Sequence, residues 1–380
     1  MGLRIPQYIR DLLPYRPGKP IAELARERNL DRIVKLASNE NPLGASPLAL
    51  AAVERSLAES HRYVDPSSFE LTHALAERHG IAPERIICGA GTDALLAYII
   101  QAFSAEGDEI LTVESTFIGI FVNVRKLNRT LVTAPLVDYQ FDLEALAGRI
   151  TERTRIVYLA SPNNPTGAIV TRNQFAAFLQ RVPSDVLVIL DEAYYSYAAE
   201  LPEYHNGLTY DAPNLLVTRT FSKDYGLAGL RIGFAVGPEE LIAQLYKVRL
   251  PFEPSSTAQA AGLAALDDDE FLQLTLDTNR SSLDALSRGF AELGLSFVPG
   301  RGNFHLLKFP SEAFAVRFAE SCLRQGLILR HTAAFGAPEA VRINSGTASE
   351  TEFALSVIKD VYTTMQAESA SAVDSTLTRR

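Results

Sequence analysis

Short apolar runs alternate with longer stretches at helical spacing through the middle of this chain, beginning near residue 86. Ile86-Ile87-Cys88, Asp108 to Val113, 155–160, Val186 to Leu190, Leu215 to Thr218 and Ile232 to Val236 read as strands. Several are continuously apolar, which predicts strands covered on both faces. Helical spacing fills the intervals at 94–103, from beyond Val113 to about 126, and at 172–181. The expected fold is α/β, a large domain with a central, mostly parallel sheet flanked by helices. Ahead of it, helices are expected at about 20–29, 47–58 and 67–79.

The pattern changes further along. Helices are expected at 238–248 and 255–267, and a long one at 270–293, where Leu272, Leu276, Leu283, Leu286 and Phe290 recur at helical intervals. Strands at 303–309, 327–330 and 340–344, with helices at 311–325 and 349–364, suggest a smaller α+β C-terminal domain. The expected division is an N-terminal arm over 1–34, a large domain over 35–255, a small domain over 256–365 and a disordered Ser/Ala-rich tail over 366–380. There is no internal repeat.

Composition narrows the function. The 380 residues carry a net charge of −9, which argues against a nucleic-acid partner but leaves room for a local cationic pocket. Cys88 and Cys322 are far apart and read as reduced core thiols. The histidines form no ligand cluster, so no metal is expected. No apolar run reaches the ~18 residues of a membrane span, and Met1 to Pro6 lacks a signal-peptide pattern. A cytoplasmic protein without a membrane partner is expected.

The chemistry concentrates where strands end, which is where open α/β sheets hold ligands. Lys223 follows Ser222, precedes Gly226, Gly229 and Gly233, and has Arg231 eight positions on. That arrangement suits an aldehyde cofactor held by an imine at its carbonyl and by an arginine at its phosphate. Asp191 closes an apolar strand, where an unpaired carboxylate is costly unless it meets a cation or strong donor. It would keep a proton on a pyridine nitrogen. Tyr194 and Asn164 would each donate to a ring oxygen, and Phe117 would stack on the ring. Gly91 and Thr92 stand where a strand enters a helix, a start that favours an anion. The spacing there matches neither a dinucleotide loop nor a Walker loop. Arg330 and Arg342 lie in short apolar runs of the second lobe and suit a carboxylate or phosphate. Plainer readings stand beside each of these: a solvated lysine, a turn cap at Asp191, a simple Asn-Pro turn, a core phenylalanine, and salt-bridged arginines.

Taken together, the segments resemble the pyridoxal-phosphate enzymes of fold type I, the aspartate aminotransferase superfamily. They are most similar to its histidinol-phosphate aminotransferase branch. The resemblance rests on Pro14 to Pro20, Lys35 to Gly44, Arg62-Tyr63 with Asp65, Ser161-Pro162-Asn163-Asn164-Pro165-Thr166-Gly167 and Asp191-Glu192-Ala193-Tyr194. Ser222-Lys223 with Gly226 to Gly233, and Arg342-Ile343 with Gly346-Thr347, complete it. It spans roughly residues 10 to 360.

The resemblance implies pyridoxal 5′-phosphate as cofactor, bound through a Schiff base to Lys223, with catalytic roles for Lys223, Asp191 and Tyr194. It implies that Gly91, Thr92, Thr220, Ser222 and Arg231 surround the phosphate, joined by Tyr63 from the partner of a homodimer with shared sites. Asn41, Tyr63, Arg330 and Arg342 are implied at the substrate, with Arg342 on an α-carboxylate and Arg330 on a distal anion. The implied reaction moves an amine from L-histidinol phosphate to 2-oxoglutarate, giving imidazole-acetol phosphate and L-glutamate. An aromatic or other amino-acid aminotransferase, or a related amino-acid-phosphate decarboxylase, would use the same cofactor residues. The chain departs from the branch at Val64, Ala94 and Glu114 to Phe117.

Overall fold

The computed structural model describes residues 3–14 and 18–377, with side chains as far as Glu368. Residues 15–17 of the Pro14–Pro20 segment, and the last three of the expected tail, lie outside the described residues. The described chain forms two compact units. The first comprises residues 1–15, 43–276 and 300–302, and the second 16–42, 277–299 and 303–380. The division falls at 276/277, within the helix Asp269–Glu292, rather than near residue 255. Residues 16–42, expected in or next to the arm and large domain, belong to the second unit.

Strands are numbered in chain order, beginning with β1 (Val34–Lys35), which belongs to the second unit. The first unit holds β2 (Ile86–Gly89), β3 (Glu109–Val113), β4 (Thr130–Ala134), β5 (Thr154–Ala160), β6 (Leu187–Asp191), β7 (Leu215–Thr220) and β8 (Gly233–Val236). They form one seven-stranded sheet in the order β2-β8-β7-β6-β5-β3-β4. Neighbours from β4 to β7 pair in parallel, while β8 runs antiparallel to both β7 and β2. β4 was not anticipated: Thr130-Leu131-Val132-Thr133 is a half-exposed edge strand with little apolar signal.

Strand alternation explains how this sheet is covered. Ile156 and Tyr158 of β5, with Leu187 and Ile189 of β6, enter one apolar cluster, with Leu95, Leu96, Ile99 and Ile100 of the helix Thr92–Phe103. Val157 and Leu159, with Val188 and Leu190, enter another, with Phe175 and Phe178 of the helix Arg172–Arg181. Both faces are dry, so the strands read as unbroken apolar text. Each fully buried aliphatic side chain contributes about 1.5–3 kcal/mol of transfer free energy.

The second unit carries β9 (Phe297–Val298), β10 (Phe304–Lys308), β11 (Leu327–Ile328), β12 (Arg330–His331) and β13 (Ala340–Asn344). Four form an antiparallel sheet in the order β12-β13-β10-β9. β1 pairs in parallel with β11, Val34 facing Leu327 and Lys35 facing Ile328. Leu286, Phe290, Phe318, Ile343 and Ile358 lie in its buried core. The closing helix spans Ala348–Leu377 rather than ending near 364. Part of the expected disordered tail is therefore helical, because its Gln, Ala and Glu residues favour a helix and no Gly or Pro stops it.

Candidate functional site

The parallel strands of the first unit end along one edge, and their register sets the site. Ala160 of β5 faces Asp191 of β6, which faces Thr218 of β7. Beside them, Thr220 faces Gly233, which faces Gly89.

Asp191 is only 3% exposed. The Tyr158 hydroxyl donates to its Oδ2 at 2.8 Å, and the Ala193 N–H donates to Oδ1 at 3.1 Å. Burial outweighs these donors and pushes the carboxyl up to about 6. A cation placed against this carboxylate would recover much of that cost.

Glu192, the next residue, is locked elsewhere. Arg219 donates to its Oε2 from Nε at 3.0 Å and from Nη2 at 2.6 Å, while the Gly207 N–H donates to Oε1 at 2.8 Å. Arg219 also bonds Asn206 Oδ1 and lies over the Tyr195 ring, 3.5 Å from its centroid. One of the two neighbouring carboxylates is thus structural and the other faces Tyr158.

Donor groups that could hold an anion gather at the start of the helix Thr92–Phe103. Gly91 precedes it at φ +82°, a conformation that L side chains rarely adopt, and the Arg231 guanidinium lies against it. Arg231 is itself left-handed at φ +56°, and its Nη1 donates to Ala228 O at 3.2 Å. A β-carbon at Gly233 would sit 3.0 Å from the Thr92 nitrogen, so glycine lets β8 come close beneath the helix start. The Thr220 hydroxyl donates to Ile232 O at 3.3 Å and accepts the Ser222 N–H at 3.1 Å. Backbone N–H groups at a helix start, hydroxyls and a guanidinium are the donors a phosphate takes.

Half-buried Lys223 follows, its Nζ 5.9 Å from the centre of the Tyr194 ring, and Tyr194 is buried. Phe117 is half-buried against the apolar cluster of β5 and β6, its ring over Gly119. Asn164 is buried in the turn after β5. The adjacent Asn163 ties that turn together: its side chain donates to Ser115 O and Thr166 Oγ1, both at 2.9 Å, and accepts from Thr116 Oγ1 at 2.7 Å. Tyr63 is 84% exposed, with its ring stacked on Phe252 at 4.4 Å.

The second unit holds the remaining candidates. Arg342 of β13 lies directly across from Arg330 of β12. Arg342 is 3% exposed and donates from Nη2 to Ala37 O at 2.7 Å. Both guanidiniums lie 5.3 Å from the Phe335 ring centre, and Phe304 is 5.4 Å from that of Arg342. Such rings hold cations without neutralising them. Half-buried Asn41 follows a segment laced to β13, in which the Asn39 N–H donates to Asn344 Oδ1 at 3.0 Å.

Sequence reasoning missed Tyr158, Asn163 and the Arg219–Glu192 pair. A polar group inside an otherwise apolar strand was the available signal for Tyr158. Among the described residues there is no cluster of metal-binding side chains and no helix long and apolar enough to cross a membrane.

The model of the family "Aminotransferase class I and II" matches residues 31–358. Histidinol-phosphate aminotransferase 2 of Hydrogenovibrio crunogenus is 42% identical over 359 residues, covering 94% of this chain and 95% of its own. The histidinol-phosphate aminotransferase of an Anaeromyxobacter species is 40% identical, covering 93% and 98%. In three dimensions the chain is similar to the crystal structure of histidinol-phosphate aminotransferase from Sinorhizobium meliloti in complex with pyridoxal 5′-phosphate. That likeness has a TM-score of 0.89 at 27% identity, covering 96% of this chain and 99% of the other. The buried carboxylate of Asp191, the Arg231 guanidinium against Gly91 and the half-buried Lys223 thus lie in a chain that belongs to the class I and II aminotransferases.

Proposed function

We propose that this protein is a pyridoxal 5′-phosphate-dependent histidinol-phosphate aminotransferase. It would transfer the amine of L-histidinol phosphate to 2-oxoglutarate, giving imidazole-acetol phosphate and L-glutamate. The observation that carries the reading is the 42% identity to a histidinol-phosphate aminotransferase along nearly the whole chain.

The residues of the first unit fit the cofactor. Asp191 has the burial and charge to pair with a pyridinium nitrogen. Gly91, Thr92, Thr220, Ser222 and Arg231 supply N–H, hydroxyl and guanidinium donors for its phosphate. Asn164 and Tyr194 would hold its phenolic oxygen, and Phe117 would lie against its ring. When bound, the group supplies an electron sink for the bond broken next to the substrate nitrogen.

The chain's own residues would do the rest. Lys223 Nζ is the base that takes the proton from the carbon bearing the donor amine. Asp191 stays ionised because a cation now faces it. Arg342 would take the carboxylate of glutamate or 2-oxoglutarate, and Arg330 the distal anion. The phosphate of histidinol phosphate would use the same pair of guanidiniums, and Asn41 would contact the donor.

The same reading makes the protein a homodimer, with Tyr63 of one copy reaching the cofactor phosphate of the other. The exposure of Tyr63 and Phe252, which stack on one another at the surface, supports it.

The test is single-turnover absorbance of the cofactor-loaded protein, mixed separately with L-histidinol phosphate, L-histidine, L-phenylalanine and L-glutamate, with products captured. Histidinol phosphate should react fastest among the donors other than glutamate. Faster reaction with phenylalanine would move the protein to the aromatic aminotransferases, and release of carbon dioxide to the decarboxylases.

A further inference from the structure

Tyr158 is fully buried in β5, among Ile156, Ile189 and other apolar residues that cover one face of the sheet. Phenylalanine would fill that space with no polar atom to bury. A phenol there costs free energy unless its hydroxyl is bonded, and this one is spent on Asp191 Oδ2 at 2.8 Å.

The register shows how the bond arises. Tyr158 faces Ile189 across the parallel pair, and Asp191 lies two residues further on the same face. A long side chain reaches such a diagonal neighbour. The strand is fixed beneath it, since the Thr112 hydroxyl donates to the Tyr158 carbonyl at 2.9 Å. On the other carboxylate oxygen, the Ala193 N–H restricts rotation.

We propose that Tyr158 is a positioning residue for the reaction: its phenol fixes Asp191 in one orientation and favours the anion that meets the cofactor's ring nitrogen. This rests on the reading of Asp191 given above. Burial keeps the phenol protonated far above its ordinary range, so it remains a donor.

The test is Tyr158→Phe in the full chain, prepared without cofactor. Equilibrium binding is then compared for pyridoxal 5′-phosphate and for its analogue with carbon in place of the ring nitrogen. The expected result is a Kd for pyridoxal phosphate raised about tenfold, the scale of a lost hydrogen bond to a charged group. The Kd for the analogue should change less than about twofold. Equal weakening of both would show a merely structural role and overturn the proposal, as would no change in either.

The same substitution in an Asp191→Asn background separates the two residues. There Tyr158→Phe should add almost nothing, and a persisting tenfold loss would overturn the coupling. If the unsubstituted protein binds both compounds alike, the reading of Asp191 itself fails and takes this proposal with it.

Discussion

The Arg231 guanidinium lies so close to Gly91 that a β-carbon at residue 91 would sit 2.7 Å from Nη2. Gly91→Ala therefore has two penalties, a displaced arginine and a side chain at φ +82°. The backbone term alone is about 1–2 kcal/mol. Titration of the apoprotein should show pyridoxal phosphate affinity reduced by about tenfold or more, with a lower melting temperature. Unchanged affinity would remove Arg231 from the phosphate.

Replacing Lys223 with alanine removes the proposed base. The turnover number should fall by about 10²–10⁴-fold, while the far-ultraviolet dichroism of the protein stays the same. Activity within tenfold of the original would assign proton transfer elsewhere.

Asp191 gives the apoprotein a pH dependence of known sign. Its folded value of about 6 lies above the ordinary 3.8. Its contribution to stability is complete below the ordinary value and lost as pH rises through the folded one. The gap is worth at most about 3 kcal/mol. Urea denaturation should find Asp191→Asn more stable than the parent apoprotein at about pH 7.5, with the advantage shrinking by about pH 4.5. A difference independent of pH would contradict this.

The Arg219–Glu192 pair is almost fully buried. Arg219→Ala strands a carboxylate in the interior and should cost about 3–5 kcal/mol in chemical denaturation. Changing both partners to apolar residues of similar volume should restore much of that loss. A double variant no better than the single one would show that Asn206 and Tyr195 need the guanidinium as much as Glu192 does.

On the reading of the second unit, Arg342→Lys keeps the charge but loses the planar fork. The KM for 2-oxoglutarate should rise by about tenfold or more. Arg330→Ala should raise the KM for histidinol phosphate more than that for an unphosphorylated donor. Equal effects on both donors would deny Arg330 a contact with the phosphate.

Much of the sheet was legible because its strands are apolar on both faces, and β6 in particular stands out as Leu187-Val188-Ile189-Leu190. Asp191 and Lys223 stand out in the sequence because a charge beside such a strand calls for an explanation. Tyr158 was not, since a tyrosine in apolar text reads as core until its diagonal partner is known. Two adjacent asparagines gave no sign that Asn163 would hold the turn. The unit division was hidden by unbroken helical spacing across 276/277. The place of residues 16–42 depends on contacts such as Val34 with Leu327, which no local pattern records.

The neighbouring carboxylates at the end of β6 make strand parity a constraint on change in the chain. Asp191 turns to Tyr158 and Glu192 to Arg219 because successive residues face opposite ways. Inserting or deleting one residue in β6 would exchange their directions, turning Glu192 to the face that holds Tyr158 and Asp191 to the face that holds Arg219. A two-residue change keeps the direction but moves the carboxylate about 6–7 Å along the strand. Apolar swaps of similar volume can be absorbed along the buried β6, whereas its length is fixed by the pair of acids at its end.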